Sequence, residues 1–247
     1  MVKQKMTQEE RIAALLKKAE TTTPEEAELL TAKAEELMLK YGIDRALLNA
    51  RSTGDKERIE KLHIPFKGIY AKAYMRMTAL IAKAYGDDVE TYYSQWDKDI
   101  TLTIVGFETD VAQLKVLLAS LQLQAVVALN AWWKGRNLAY TPTAMEKFKD
   151  RRTFIQWFGQ GAASRIRKAR SAAVKEAEST TPGTELVLRD RALAIKDFMQ
   201  QNVGKLKTVK NREKQGGYGA SDAGYQAGKN ANTGDRQVSA GRRAITS

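Results

Sequence analysis

The chain contains no cysteine and one histidine in 247 residues. The first absence excludes disulfides, thiolate metal sites and cysteine nucleophiles. The second excludes zinc sites built on paired histidines and leaves His63, beside Pro65 in a weak strand candidate, to a structural or solvated role. There is no Gly-Lys-Ser/Thr phosphate loop, no zinc-finger spacing and no RNA-recognition signature, so nucleotide hydrolysis of the P-loop type and sequence-specific readout are not expected. Residues 1–10 lack the apolar run of a secretory signal. Without cysteine the composition suits a reducing cytoplasm. No cofactor, metal or catalytic constellation is called for, and the expectation is a non-enzymatic protein.

What the chain does have is positive charge, +12 overall, and it sits in two places. Segment 147–175 holds nine Lys/Arg against Asp150 alone; segment 204–247 holds nine more against Glu213, Asp222 and Asp235. The rest is slightly acidic. Charge partitioned in this way points to a polyanion as partner, most simply nucleic acid, DNA or RNA.

Local patterns predict an α+β protein that is mostly α. Thr7 and Glu10 form a capping box, and Ile12, Leu15, Leu16 and Ala19 make the stripe of a first helix. Thr23-Pro24-Glu25-Glu26 starts a second, with Gly42 as its stop and Asp44 capping a short third. Residues 1–50 thus read as a helical-hairpin module and 51–58 as a linker. A domain over 58–203 follows, with a small antiparallel sheet packed on two long helices. A weak strand spans 59–66, a helix 71–85, and a hairpin turns at Asp97-Lys98-Asp99. The stretch 111–133 is long enough to cross a bilayer, but Lys115, Gln122, Gln124 and Asn130 interrupt it, and it reads as a central core helix rather than a membrane span. The second long helix covers 143–178, a strand is predicted at 184–188 and a helix at 190–201. Eight of the seventeen glycines fall in 204–247, with few large aliphatics. That composition predicts a mobile basic tail, with a short helix near 220–229.

The segment Ala13-Ala14-Leu15-Leu16, Thr22-Thr23-Pro24-Glu25-Glu26-Ala27, Ala34-Glu35-Glu36-Leu37-Met38 and Tyr41-Gly42-Ile43-Asp44 resembles an uncharacterised bacterial domain family common in phages and prophages, notably those of actinobacteria. Ile104-Val105-Gly106-Phe107-Glu108-Thr109-Asp110-Val111 and residues 154–167 resemble its usual second domain. Gly224-Tyr225-Gln226-Ala227-Gly228 and Arg242-Arg243-Ala244 resemble its usual ending. The resemblance implies a phage or prophage context, hence the host cytoplasm, and carries no catalytic residues.

These observations predict a phage accessory protein that binds nucleic acid non-specifically through a basic helix and tail. Lys147, Arg151, Arg152, Arg165, Lys168, Arg242 and Arg243 would contact phosphates, and Tyr218 and Tyr225 would stack on bases. One alternative is a protein–protein module, docking on a host factor or virion component through residues 7–50. A second is a Mg²⁺-dependent nuclease using Asp87, Asp88, Asp97 or Asp99. The tryptophans at 96, 132, 133 and 157 read as core or interface anchors.

Overall fold

The computed structural model describes residues 7–19, 22, 24–51, 57–97, 99–136, 141–207, 209 and 216–231. Two helices, α1 (Gln8–Ala19) and α2 (Pro24–Arg51), are followed by β1 (Ile59–Phe66), α3 (Ala71–Tyr85), β2 (Glu90–Trp96) and β3 (Asp99–Phe107). Then come α4 (Glu108–Lys134), α5 (Ala144–Thr180), α6 (Thr184–Asn202) and α7 (Tyr218–Lys229). The strands form one antiparallel sheet in the order β1-β3-β2. The architecture is α+β and mostly α, as the sequence predicts.

Several local signals act where expected. Thr7 Oγ1 accepts from Glu10 N at 3.1 Å while Glu10 Oε2 accepts from Thr7 N at 2.8 Å, closing the first capping box. Thr143 and Glu146 close another at the start of α5. Asp97 takes the positive φ of 52° that the β2–β3 turn demands, which aspartate tolerates better than bulkier residues. Pro65 lies on the edge strand β1, where its missing N–H costs no interior ladder bond.

Five expectations are corrected. Gly42 does not end a helix: α2 runs through it to Arg51. An added Cβ there would meet Asp110 Oδ1 at 3.0 Å and the Tyr85 hydroxyl at 3.4 Å, so this glycine serves close helix approach. Buried Met38, Ile43 and Ala46 on either side tie the helix into the core, and that packing overrides the stop signal.

Residues 184–188 are helical, not a strand, because Glu178 in the last turn of α5 caps α6 from outside it. Its carboxylate accepts from Gly183 N and Glu185 N, each at 2.9 Å. The long helix α4 is only half a core helix. Leu114, Leu117, Leu118 and Leu121 are buried, whereas Val116, Leu123, Val126 and Val127 on the other side are exposed. It is also the one helix among the described residues long and apolar enough to cross a membrane. Trp96 is 87% exposed at the hairpin tip rather than anchored in the core, while Trp132 stacks on Phe154 with centroids 5.0 Å apart.

The fifth correction concerns only residues 216–231 of the tail, where the short helix expected near 220–229 forms as α7. Residues 216–231 are docked, with α7 lying along α5. Gly216 N donates to Thr153 Oγ1 (2.7 Å) and Gly217 N to Asp150 Oδ1 (3.0 Å). Side chains at Gly224 and Gly228 would overlap the carbonyl oxygens of Phe154 and Phe158, and one at Gly161 would overlap the backbone of α7. Here glycine is a packing residue: it lets two helix backbones touch and replaces burial of large side chains with close contact along the helix.

A buried charge cluster beneath a cationic cleft

Arg191 projects from α6 into the interior, its side chain 9% exposed. Its three nitrogens reach three carboxylates from three different segments. Nε donates to Asp88 Oδ2 at 2.9 Å, Nη1 to Glu57 Oε2 at 2.9 Å and Nη2 to Asp110 Oδ2 at 2.5 Å. The guanidinium lies over the Phe107 ring, 3.7 Å from its centroid. Glu57 also accepts from Asn49 Nδ2 and from Thr109 N. Asp88 has a second cation, Arg170 of α5, at 3.5 Å. Gly86 is required beneath them, since a Cβ would crowd Asp88 and the Arg170 guanidinium. One planar, always-charged group therefore ties α6 to the segment before β1, the α3–β2 turn and the first turn of α4.

The charges do not balance if all are ionised: three carboxylates face two guanidinium groups. Burial, followed by the neighbouring Asp88 charge, pushes Asp110 up to about 7 despite the pull of Arg191. Protonating that one group would leave the cluster neutral. For Glu57, burial acts upward, but hydrogen bonds from Arg191 and Thr109 more than offset it and hold the carboxyl below its ordinary value. Burial, with Asp110 nearby, raises the Tyr85 phenol, whose hydroxyl donates to Gln113 Oε1 at 2.5 Å.

The sign of the resulting pH dependence follows. A folded carboxyl whose pKa is raised binds more protons than the unfolded one between about pH 4 and 7, so its contribution is full at the acid end and is lost as pH rises through 7. The opposite contribution of Glu57 is complete above its unfolded value of 4.5 and is constant across that upper range. Stability is therefore expected to fall by about 1 kcal/mol or more between pH 5 and 8. Asp110→Asn is expected to flatten that slope, and urea midpoints at the two pH values measure both.

Above the cluster, the C-terminal end of α3, the second half of α5 and α6 enclose a cleft of about 710 Å³. Helical periodicity puts Arg167, Arg170 and Val174 on one stripe of α5, with Lys175 beside them; Arg189, Ala192 and Lys196 form the facing stripe of α6. Four acids also line the cleft: Asp88 is bonded to Arg170 and Arg191 and Glu90 to Lys83, whereas Asp87 and Glu185 are exposed with no ion pair among the described residues. Arg167, Lys175, Arg189 and Lys196 are exposed and have no carboxylate partner among the described residues. Arg167 and Lys175 lie eight residues apart, about 12 Å of helix.

The residues singled out from sequence lie elsewhere. Lys147 and Lys168 are both exposed on α5 but 21 residues apart, about 30 Å along the axis, so the basic helix is not one patch. Arg151 is half-buried over the Trp133 ring and Arg152 over the Phe148 ring. Arg165 Nη1 donates to the carbonyls of Gly228 (3.0 Å) and Ala231 (2.7 Å), where it caps α7. Tyr225 packs edge-on against Trp157, centroids 6.3 Å apart, as part of the α5–α7 seam. Tyr218 is the first residue of α7; its side chain, like Arg242 and Arg243, lies outside the described residues.

Asp87 and Asp88 stand at one end of β2, and Asp97 and Asp99 at the other. Asp88 is engaged by arginines, Asp99 pairs with Lys67, and the described residues contain no group of three or more acids or histidines arranged to hold a metal ion. The apolar face of the N-terminal pair, including Ile12, Leu16, Ala34 and Met38, is buried in the common core, while Leu29 and Leu48 of the same pair are exposed. Arg189 and Lys196 were legible only as scattered cations. Their shared face depends on 184–188 being helical.

A family model described as a protein of unknown function (DUF2786) matches residues 10–45, which cover most of α1 and of α2 but none of the cleft. No curated protein and no solved structure matches the chain.

Proposed function

We propose that the chain binds the phosphate backbone of a nucleic acid, without sequence preference, in the cleft between α3, α5 and α6. The observation that carries the reading is the convergence of Arg167, Lys175, Arg189 and Lys196, none of them ion-paired among the described residues, on one concave surface whose lining cations outnumber its acids. Flexible cations around an open cleft suit phosphates spaced along a chain, and they present no rigid pattern of donors for reading base edges. Arg170 and Arg191 take no part in binding; they hold the two cationic helices in place from below. An accessory role in a phage or prophage, in the cytoplasm of a host, rests on the sequence resemblance alone.

Binding driven by counterion release weakens with salt by about 0.9 in log affinity per log salt for each phosphate neutralised, so four cations imply a slope of roughly 3 to 4. Fluorescence polarisation with a labelled oligonucleotide over a salt series measures it. The triple variant Arg167→Glu/Lys175→Glu/Lys196→Glu is expected to abolish binding, and Lys147→Glu, at the far end of α5, to leave it unchanged. No binding by the parent protein at low salt would end the proposal. Equal losses from both variants would assign the effect to net charge rather than to the cleft.

A further inference from the structure

We propose that the outward face of α4 is a self-association surface, on which α4 of a second copy of this chain packs antiparallel. The inference is independent of the cleft and uses none of its residues. The exposed positions Ala112, Val116, Ala119, Leu123, Val126 and Asn130 recur at spacings of four and three, the 3.5-residue repeat that keeps a seam on one side of a helix. Val116 (42%), Leu123 (55%) and Val127 (60%) stand open to solvent while the opposite face is sealed in the core. Between Glu108 and Lys134 the exposed face carries one charge, Lys115.

The seam is complementary to its own reverse. Antiparallel pairing about Leu121 sets Leu123 over Ala119 and Asn130 over Ala112, so larger side chains meet alanines, and Val126 over Val116. The same register brings Glu108 of each copy to Lys134 of the other. Both are exposed, and the only ion pair described for Glu108 is a loose one to Arg58 at 3.9 Å. A parallel pairing would set Glu108 against Glu108 and Lys134 against Lys134, and would align the helix dipoles unfavourably. A helix of 27 residues is about 40 Å long, and a strip about 10 Å wide along it covers on the order of 400 Å² per partner. That is about half a standard interface, so the dimer is weak and forms with rising concentration.

Sedimentation equilibrium of the full chain over a concentration series tests this. The parent protein is expected to pass from monomer to dimer. Leu123→Glu is expected to raise the dissociation constant about 100-fold, because two carboxylates would enter an apolar seam. Its thermal midpoint should not move, since Leu123 is exposed in the monomer. Glu108→Lys alone should weaken the dimer, and Glu108→Lys/Lys134→Glu should restore it. The proposal is overturned by a parent protein monomeric at every concentration, by a dimer indifferent to Leu123→Glu, or by a charge swap that fails to restore. Co-sedimentation with phosphatidylcholine vesicles that Leu123→Glu abolishes, without any dimer, would give the face to a lipid surface instead.

Discussion

Arg191→Met is expected to cost the fold about 3–5 kcal/mol, the largest effect of any single substitution considered. Methionine matches the length of the arginine stem but brings no charge, so Glu57, Asp88 and Asp110 would lose their shared counterion while remaining buried. Water cannot easily replace the guanidinium, because it lies buried over the Phe107 ring. The variant's defect should depend on pH. Uncompensated carboxyls have folded pKa values above their unfolded ones, so the folded state binds the extra protons and the protein recovers as pH falls. Urea unfolding at pH 5 and pH 8 should therefore show a larger loss at pH 8. Arg170→Met should cost less, since Arg170 touches the cluster only through Asp88 at 3.5 Å. An Arg191→Met protein within about 0.5 kcal/mol of the parent would refute the central role given to this residue. Because Arg191 also seats α6, the variant should bind nucleic acid more weakly even where it remains folded.

The second large effect is expected at Gly228. A Cβ there would overlap the carbonyl oxygen of Phe158, a backbone atom in the middle of α5 that cannot rotate away. Overpacking usually costs about 1–3 kcal/mol when side chains can yield. Against backbone, the cheaper response is release of α7. Gly228→Val should therefore expose residues 216–231 to proteolysis and fast amide exchange while the remainder stays folded. Arg165 would lose the carbonyls of Gly228 and Ala231 that it now caps. Gly219 supplies the control. It lies in the same helix with open space around it, so Gly219→Ala should be harmless or stabilise by about 0.5–1 kcal/mol through helix propensity. Native protection of 216–231 in Gly228→Val would refute the packing role of this glycine.

The contrast between Gly228 and Gly42 on one side and Asp97 on the other shows what could be read from sequence. The Asp97 turn, the Thr7 and Thr143 capping boxes, the β2–β3 hairpin and the long helices are each set by residues within a few positions of one another, and those interactions are written in local order. The roles of Gly42 and Gly228 depend on what lies across from them, Asp110 and Phe158, far away in the chain. The glycines of 216–231 therefore read as a sign of mobility, when small residues were what the docking of α7 required.

The start of α6 failed for a related reason. Thr184, Leu186, Val187 and Leu188 favour a strand when judged alone, but the Glu178 carboxylate satisfies the exposed N–H groups of Gly183 and Glu185 and makes a helix the better solution. Once α6 is a helix, Arg189 and Lys196 share a face and Arg191 points inward.

By itself, then, the sequence determined the α+β class, the order of most elements, their caps and turns, and an excess of cations in the second half of the chain. Which cations remain available to a ligand was decided only by the tertiary structure. Arg191 finds its carboxylates 81 to 134 positions away, Arg165 and Arg151 are spent on a helix end and a ring, and Arg167, Lys175, Arg189 and Lys196 are left facing open space. A count of charges is a property of composition; whether a charge meets a partner depends on distances that folding alone sets.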